Sequence, residues 1–362
     1  MALPVKPHIE GLTPYKPGKP TWELERELGI EGCVKLASNE NPLGPSPRAI
    51  EAIHEIAGSV HVYPDGGAAR LRDALAKRLC VDSNQLVFGC GGDEVLGLVA
   101  KVFLGPGDEC LYAWPSFAMY PIYTAGMGAD SVQVPLNEDL VHDLPAMARA
   151  ITDQTRVVIV CNPNNPTGTS VGADEFDAFI SALPADVVLL IDEAYCEYAT
   201  RKDFPDSLGW VERRPGTVVM RTFSKIYGLA GLRIGYGVAD PELAGWIERA
   251  RHPFNVNLVA EAAALAALDD RAHFDRSRAV NQEGIEFLTR ELTALGIDVW
   301  PTDANFLLAR TGPEAHEDLL REGVIVRPLA GFGMPDHVRI TIGTRAENER
   351  LLEALRHVKG AA

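Results

Sequence analysis

Between residues 85 and 224 the chain repeats one pattern, in which a short apolar run gives way to a polar break and then to an amphipathic stretch. The clearest runs are QLVFG (85–89), ECLYA (109–113), RVVIVC (156–161), DVVLLID (186–192) and TVVMRTFS (217–224). Several are apolar throughout instead of alternating, which predicts strands covered on both faces by helices, as in a parallel sheet. The intervening stretches, beginning with SPRAIEAIHEIAG (46–58), carry apolar positions at helical spacing. Strand-helix-strand units are therefore expected up to about residue 250.

After RHPFNVN (251–257) the pattern changes. Two long helical stretches, LVAEAAALAALDD (258–270) and RAVNQEGIEFLTRELTALG (278–296), precede the separated strands ANFLLAR (304–310), VIVRPL (324–329) and HVRITIG (337–343). The closing stretch RAENERLLEALRHV places Leu351, Leu352, Leu355 and Val358 on one helical stripe. The organisation expected is α/β: a large domain over 31–255 with a mostly parallel sheet, and a smaller C-terminal α/β domain over 256–362. Residues 1–30, proline-rich and aperiodic, read as an extended arm over the body.

Composition narrows the picture. At 362 residues the chain can fill more than one core. A net charge of -16, from 50 acidic against 34 basic residues with no basic block, argues against nucleic acid or an anionic membrane as partner. Prolines interrupt the N-terminal stretch MALPVKPHIEGLTPYKPGKP, and no run approaches the length of a membrane span, so a cytoplasmic protein is expected. The six cysteines form no C-x-x-C pair and are expected to be reduced. The nine histidines show no metal-ligand spacing, so no metal is expected. An anionic ligand would have to be bound locally, by a few arginines and backbone amides.

Parallel strands present their carboxyl ends along one edge, where ligands bind. There QLVFGCGGDE delivers a glycine turn and a helix start, RVVIVCNPNNPTG a proline-asparagine loop, DVVLLIDEAY Asp192 and Tyr195, and TVVMRTFSKIYGLAGLR Ser224, Lys225 and Arg233. The glycine turn does not match G-x-G-x-x-G, because Glu94 stands at the last glycine position, which argues against a dinucleotide. Asp192 at the end of an apolar strand needs a positive partner. Pyridoxal phosphate supplies one in its ring nitrogen, together with an aldehyde, a phenolic oxygen and a phosphate. Lys225 would capture the aldehyde as a Schiff base, and Asp192 would hold the ring nitrogen protonated. Tyr195 and Asn165 would donate to the phenolic oxygen. The amides of Gly92 and Asp93 would join Ser224 and Arg233 around the phosphate. Phe117 either lies flat on the ring or is an ordinary core aromatic.

NPNNPTG (162–168), DEAY (192–195), SKIYGLAGLRIGY (224–236) and VRITIGT (338–344), with LTPYKPGKP (12–20) and ASNENPLGPSP (37–47) ahead of them, resemble the fold type I pyridoxal-phosphate aminotransferases, and within them the histidinol-phosphate branch. The resemblance covers essentially the whole chain. It gives Asn165, Asp192, Tyr195, Ser224, Lys225, Arg233, Gly92 and Asp93 the cofactor roles already argued. It implies that Tyr63, in VYPDGG, reaches the cofactor phosphate of a neighbouring subunit, and hence a homodimer with shared active sites. Arg339 matches the arginine that grips the anionic end of the substrate, and Tyr15 a tyrosine of the arm that closes over it. Arg327 is either a second anion contact or a solvated strand-end arginine. The reaction implied is amino transfer between histidinol phosphate and 2-oxoglutarate, as in histidine biosynthesis. An aromatic amino-acid aminotransferase or a phospho-amino-acid decarboxylase would share these motifs.

Overall fold

The structure, a computed structural model, describes residues 3–15 and 17–360. Residues 1, 2 and 16 of the expected arm and 361 and 362 of the expected second domain lie outside the described residues. The strands are β1 (Val34–Leu36), β2 (Leu86–Gly89), β3 (Glu109–Trp114), β4 (Asp130–Pro135), β5 (Thr155–Cys161), β6 (Val188–Asp192), β7 (Thr217–Thr222), β8 (Gly235–Ala239), β9 (Asp298–Val299), β10 (Phe306–Arg310), β11 (Val324–Pro328) and β12 (His337–Thr341). Among the described residues they form a seven-stranded sheet in the order β2-β8-β7-β6-β5-β3-β4 and a five-stranded sheet in the order β1-β11-β12-β10-β9.

The large sheet is the mostly parallel one expected, with β8 antiparallel to both of its neighbours. Its strands bury both faces. Val158, Val160, Leu189, Ile191 and Val219 enter one apolar cluster, while Val157, Ile159, Leu190, Val218 and Met220 enter another on the opposite side. This two-sided burial explains why the runs are continuously apolar. Two strands of this sheet escaped the sequence reading. β4 is an edge strand with largely exposed side chains. β8 reads GYGVA, and its first glycine is a packing requirement: a Cβ at Gly235 would collide with the backbone of Gly91 and Gly92, where the helix Gly92–Phe103 begins. Strand and helix start are thereby pressed together beside the sheet edge.

Three findings revise the expected organisation. β1, from the region assigned to the large domain, pairs parallel with β11 in the smaller sheet; three residues are too few to show a period. Helix Leu258–Leu268, assigned to the second domain, packs instead on helix Pro47–Ile56, and its Ala260, Ala263, Ala264 and Ala267 belong to the core of the large sheet. The arm is not wholly extended, since Thr21–Leu28 is a helix closed by Gly29 in the left-handed region, and Leu24 packs with Ala37 and Ile325. The leucines of the last helix, Arg345–Gly360, do fill the smaller core, where Leu351, Leu352 and Leu355 meet Val324, Val326, Val338 and Ile340. All six cysteines are free thiols. No helix among the described residues is long and apolar enough to cross a membrane.

Candidate active site

The carboxyl ends of β5, β6 and β7 open onto one cavity, which also receives the start of helix Gly92–Phe103. Gly92, Asp93, Phe117, Asn165, Asp192, Tyr195, Ser224, Lys225 and Arg233, scattered over more than a hundred residues of sequence, all line it. An adjoining cavity shares Phe117, Asn165, Tyr195 and Lys225 and adds Tyr15, Arg327 and Arg339.

Lys225 follows β7 in a loop that folds tightly on itself. Phe223 is fully buried, and its carbonyl accepts from the Leu229 amide at 3.1 Å. Gly228, at φ +69°, lies so close to the backbone of Gly44 and Pro45 that a Cβ would collide with it. The loop thus aims the lysine inward, where Nζ donates to the Ser38 carbonyl at 3.3 Å and lies 5.4 Å from the centre of the Tyr195 ring. Burial, reinforced by Arg339 and Arg233, pulls the ammonium down to about 7. At neutral pH this amine is a usable base.

Asp192 closes β6. Its Oδ2 accepts from the Tyr120 hydroxyl at 2.7 Å and its Oδ1 from the Ala194 amide at 3.1 Å. Both donors are neutral, and burial pushes the carboxyl up to about 6 against them. Tyr195, equally buried, receives a hydrogen bond from Asn39 Nδ2 at 2.9 Å. Asn165 Oδ1 accepts from Arg339 at 2.5 Å, so the donor half of its amide is left for other partners. Its loop is held by neighbouring asparagines: Asn162 Oδ1 accepts from the Val171 amide at 3.0 Å, and Asn164 Oδ1 from the Ser116 hydroxyl at 2.7 Å. That is why a turn-like string appears as a rigid wall.

At the other end of the cavity, Gly91 (φ +84°) opens the helix, and a Cβ there would lie 2.6 Å from the Arg233 guanidinium. Arg233 also has positive φ, 57°. Its Nη1 donates to the Ala230 carbonyl at 3.1 Å and to Ser224 Oγ at 3.4 Å. The Asp93 carboxylate accepts from Tyr123 at 3.0 Å, while the residue's backbone amide, in the first turn of the helix, has no intrahelical acceptor. Helix-start amides, a hydroxyl and a guanidinium converge here on an anion-sized space.

In the adjoining cavity β11 and β12 place Arg327 directly opposite Arg339. Like charges in register on neighbouring strands are unfavourable unless an anion lies between or before them. Burial, with Arg327 adding to it, draws Arg339 down to about 10. Tyr15 stands 5.8 Å from Arg327, ring centre to guanidinium carbon. Tyr63 lines neither cavity. It is 78% exposed and stacks on Phe254 at 4.8 Å.

Three further contributors take no individual role from the sequence pattern, although Asn39 lies within ASNENPLGPSP. Asn39 and Tyr120 act through contacts made far along the chain, and Phe332 reaches the second cavity from the smaller sheet by stacking on Trp114 at 5.7 Å. A ligand that satisfies the whole site needs an anion at the glycine end, a cation facing Asp192 and an electrophilic carbon within reach of Lys225. The cradle at Gly91, the buried carboxyl with only neutral donors and the buried Lys225 amine with its lowered pKa fit the phosphate, ring nitrogen and aldehyde of pyridoxal phosphate.

Comparison with known proteins agrees. Residues 31–355 match the sequence model of the family described as aminotransferase class I and II. The chain is 50% identical over 353 residues to histidinol-phosphate aminotransferase 1 of Nitrosococcus oceani, covering 97% of this chain and 95% of that one. It is 48% identical over 354 residues to the histidinol-phosphate aminotransferase of Moorella thermoacetica, covering 97% and 92%. Among solved structures, that of histidinol-phosphate aminotransferase from Sinorhizobium meliloti in complex with pyridoxal-5'-phosphate superposes with a TM-score of 0.92, at 29% identity, over 100% of this chain and 99% of that one. The mostly parallel sheet, the lysine at its edge and these matches over nearly the full length have one reading: the chain belongs to the class I and II aminotransferases.

Proposed function

We propose that the protein transfers the amino group of histidinol phosphate to 2-oxoglutarate, using pyridoxal phosphate attached at Lys225. The observation that carries the choice of substrate is the registered pair Arg327 and Arg339 at the cavity that also holds Lys225. Two arginines lining one cavity favour a dianion over a single carboxylate. The phosphate of histidinol phosphate and the paired carboxylates of glutamate both meet that demand, whereas phenylalanine offers one carboxylate.

Bound there, pyridoxal phosphate supplies an aldehyde for the amine and an electron sink for the carbanion. The chain's residues do the rest. Arg233, Ser224 and the amides of Gly92 and Asp93 hold the phosphate. Asp192 keeps the ring nitrogen protonated, while Tyr195 and Asn165 donate to the phenolic oxygen. Phe117 covers the ring. Lys225, substantially deprotonated near pH 7 because burial and Arg339 disfavour its charge, takes the proton from the substrate's α-carbon and returns it on the other side of the transfer. Arg339 and Arg327 hold the substrate anion, and Tyr15 closes over it.

A turnover comparison of histidinol phosphate with phenylalanine, each with 2-oxoglutarate, tests the reading. Histidinol phosphate is expected to have a kcat/KM at least ~100-fold higher, about the value of one lost charge-assisted contact. A preference for phenylalanine would assign the chain to aromatic amino acids, and release of carbon dioxide would assign it to decarboxylation.

The working unit is proposed to be a homodimer, in which Tyr63 enters the partner's site at the cofactor phosphate. Exposed Val60, Val62, Tyr63 and Phe254 form an apolar patch that supports this reading. Sedimentation is expected to give a dimer. Mixing inactive Lys225→Ala with inactive Tyr63→Ala should restore up to about a quarter of the activity, because statistical exchange gives half the dimers one intact site. No recovery in a confirmed heterodimer counts against shared sites.

A further inference from the structure

The Tyr195 hydroxyl accepts from Asn39 Nδ2 at 2.9 Å, across a sequence separation of 156 residues. A phenol has one proton and two lone pairs, so a donor seated on its oxygen constrains where its own O–H can point. Thr341 fixes which end of the Asn39 amide faces the tyrosine. Its Oγ1 accepts from the Asn39 backbone N–H at 2.9 Å and donates to Asn39 Oδ1 at 3.1 Å. With Oδ1 committed in this way, Nδ2 is turned to Tyr195. The backbone is pinned as well, because the Asn39 carbonyl accepts from Asn305 Nδ2 at 3.0 Å. Asn39 sits at φ 57°, a left-handed conformation that asparagine and glycine adopt more readily than other residues. It is 1% exposed and lines the same cavity as Tyr195 and Lys225.

We propose that Asn39 is a positioning residue: by donating to Tyr195 it turns that hydroxyl's own proton into the cavity, towards the cofactor's phenolic oxygen. The inference rests on the proposed placement of Tyr195 at that oxygen. Five ionisable groups face Tyr195 from the elements packed around it: Arg339 on β12, Asp192 ending β6, Tyr198 in the turn that follows β6, Cys161 ending β5, and Lys225 beyond β7. They form a charge background that stays in place in the neutral replacements Asn39→Gly and Thr341→Val, whereas Asn39→Asp adds a carboxylate whose own charge also raises the midpoint.

Asn39→Gly removes the donor and accepts the positive φ. Asn39→Asp keeps the size and the backbone preference but offers an oxygen that accepts from Tyr195, which reverses the bond and draws the hydroxyl proton out of the cavity. Thr341→Val removes the clamp and lets the amide turn. Each full-length variant is reconstituted with pyridoxal phosphate, and its visible absorbance is titrated between about pH 5 and pH 10, with Tyr195→Phe as the benchmark. A donor to the phenolic oxygen stabilises negative charge there, so its loss makes the lysine-cofactor centre harder to deprotonate and raises the midpoint. Asn39→Asp is expected to raise it by about one pH unit, close to Tyr195→Phe, and Asn39→Gly and Thr341→Val by about half a unit. If both Asn39 variants stay within ~0.2 unit of wild type while Tyr195→Phe moves, Asn39 is only a packing residue and the inference falls. An unmoved midpoint in Tyr195→Phe would remove Tyr195 from the oxygen and overturn the inference with it. A wild-type protein that fails to bind the cofactor would instead overturn the proposed function. Should Asn39→Asp not fold, Asn39→Gly decides alone.

Discussion

Lys225→Ala is expected to cut the transamination rate by roughly 10⁴- to 10⁶-fold, since in the proposed mechanism one side chain both attaches the cofactor and moves the proton. The protein should remain folded. The lysine makes one hydrogen bond, to the Ser38 carbonyl, and its burial is costly enough to draw the amine down to about 7. Its removal relieves that cost while opening a cavity beside Tyr195, so the melting temperature of the cofactor-free protein should stay within a few degrees of wild type. The same depressed value sets a pH dependence for the wild type. Below about 7 the free amine is protonated and cannot accept the α-proton, so the single-turnover rate rises as pH passes through that range and levels above it. Borohydride trapping followed by peptide mass analysis should label Lys225 in the wild type and leave the variant unlabelled. Label on a different lysine, or variant turnover within tenfold of wild type, contradicts the assignment.

Asp192→Asn should be the next most damaging change, lowering the proton-transfer rate by about two to four orders of magnitude with little change in KM. The amide is nearly isosteric. Its oxygen can still accept from the Ala194 amide, and its NH₂ can donate to the Tyr120 hydroxyl, which then accepts where it formerly donated. What is lost is the negative charge proposed to keep the cofactor's ring nitrogen protonated. Stopped-flow absorbance with α-deuterated donor separates this step from binding, and a full isotope effect on a slowed rate is the expected result. Stability moves the other way in the cofactor-free protein. Burial raises the Asp192 carboxyl to about 6 from the usual value of 3.8, so its contribution is complete below 3.8 and is lost as pH rises through 6. Asparagine has no such dependence. The cofactor-free variant should therefore gain on wild type in melting temperature as pH is raised across that window. Loss of stability instead would mean that the carboxylate is needed structurally.

The parts of this site that could be read from sequence are those delivered by local pattern. An apolar strand ending abruptly in a polar residue marks where the sheet edge opens, and Asp192, Ser224 and Lys225 all lie at such ends. Gly91 is legible for a similar reason, because a glycine turn running straight into a helix leaves the first backbone amides open to an anion. Asn39, Tyr120 and Phe332 carry no comparable mark. Each is an ordinary residue in its own stretch and gains its role from a partner far along the chain: Tyr195, Asp192 and Trp114 respectively. The opposition of Arg327 and Arg339 is hidden in the same way, since strand register, not spacing, makes them neighbours. The fold follows the same division. Buried parallel strands announce themselves, whereas β1 is too short, β4 too exposed and β8 too rich in glycine to do so.

The pairing of β1 with β11 joins Val34 to Val324, so the smaller sheet takes one strand from the beginning of the chain and the others from its end. On the ribosome β1 must wait, unpaired, until most of the polypeptide has emerged. Ser38, whose carbonyl meets the lysine, and Asn39 follow directly behind it. A nascent chain can thus complete the large sheet, with Asp192, Tyr195 and Lys225 at its edge, before Arg327 and Arg339 of the adjoining cavity exist, and that second cavity closes only with the last strands to be translated.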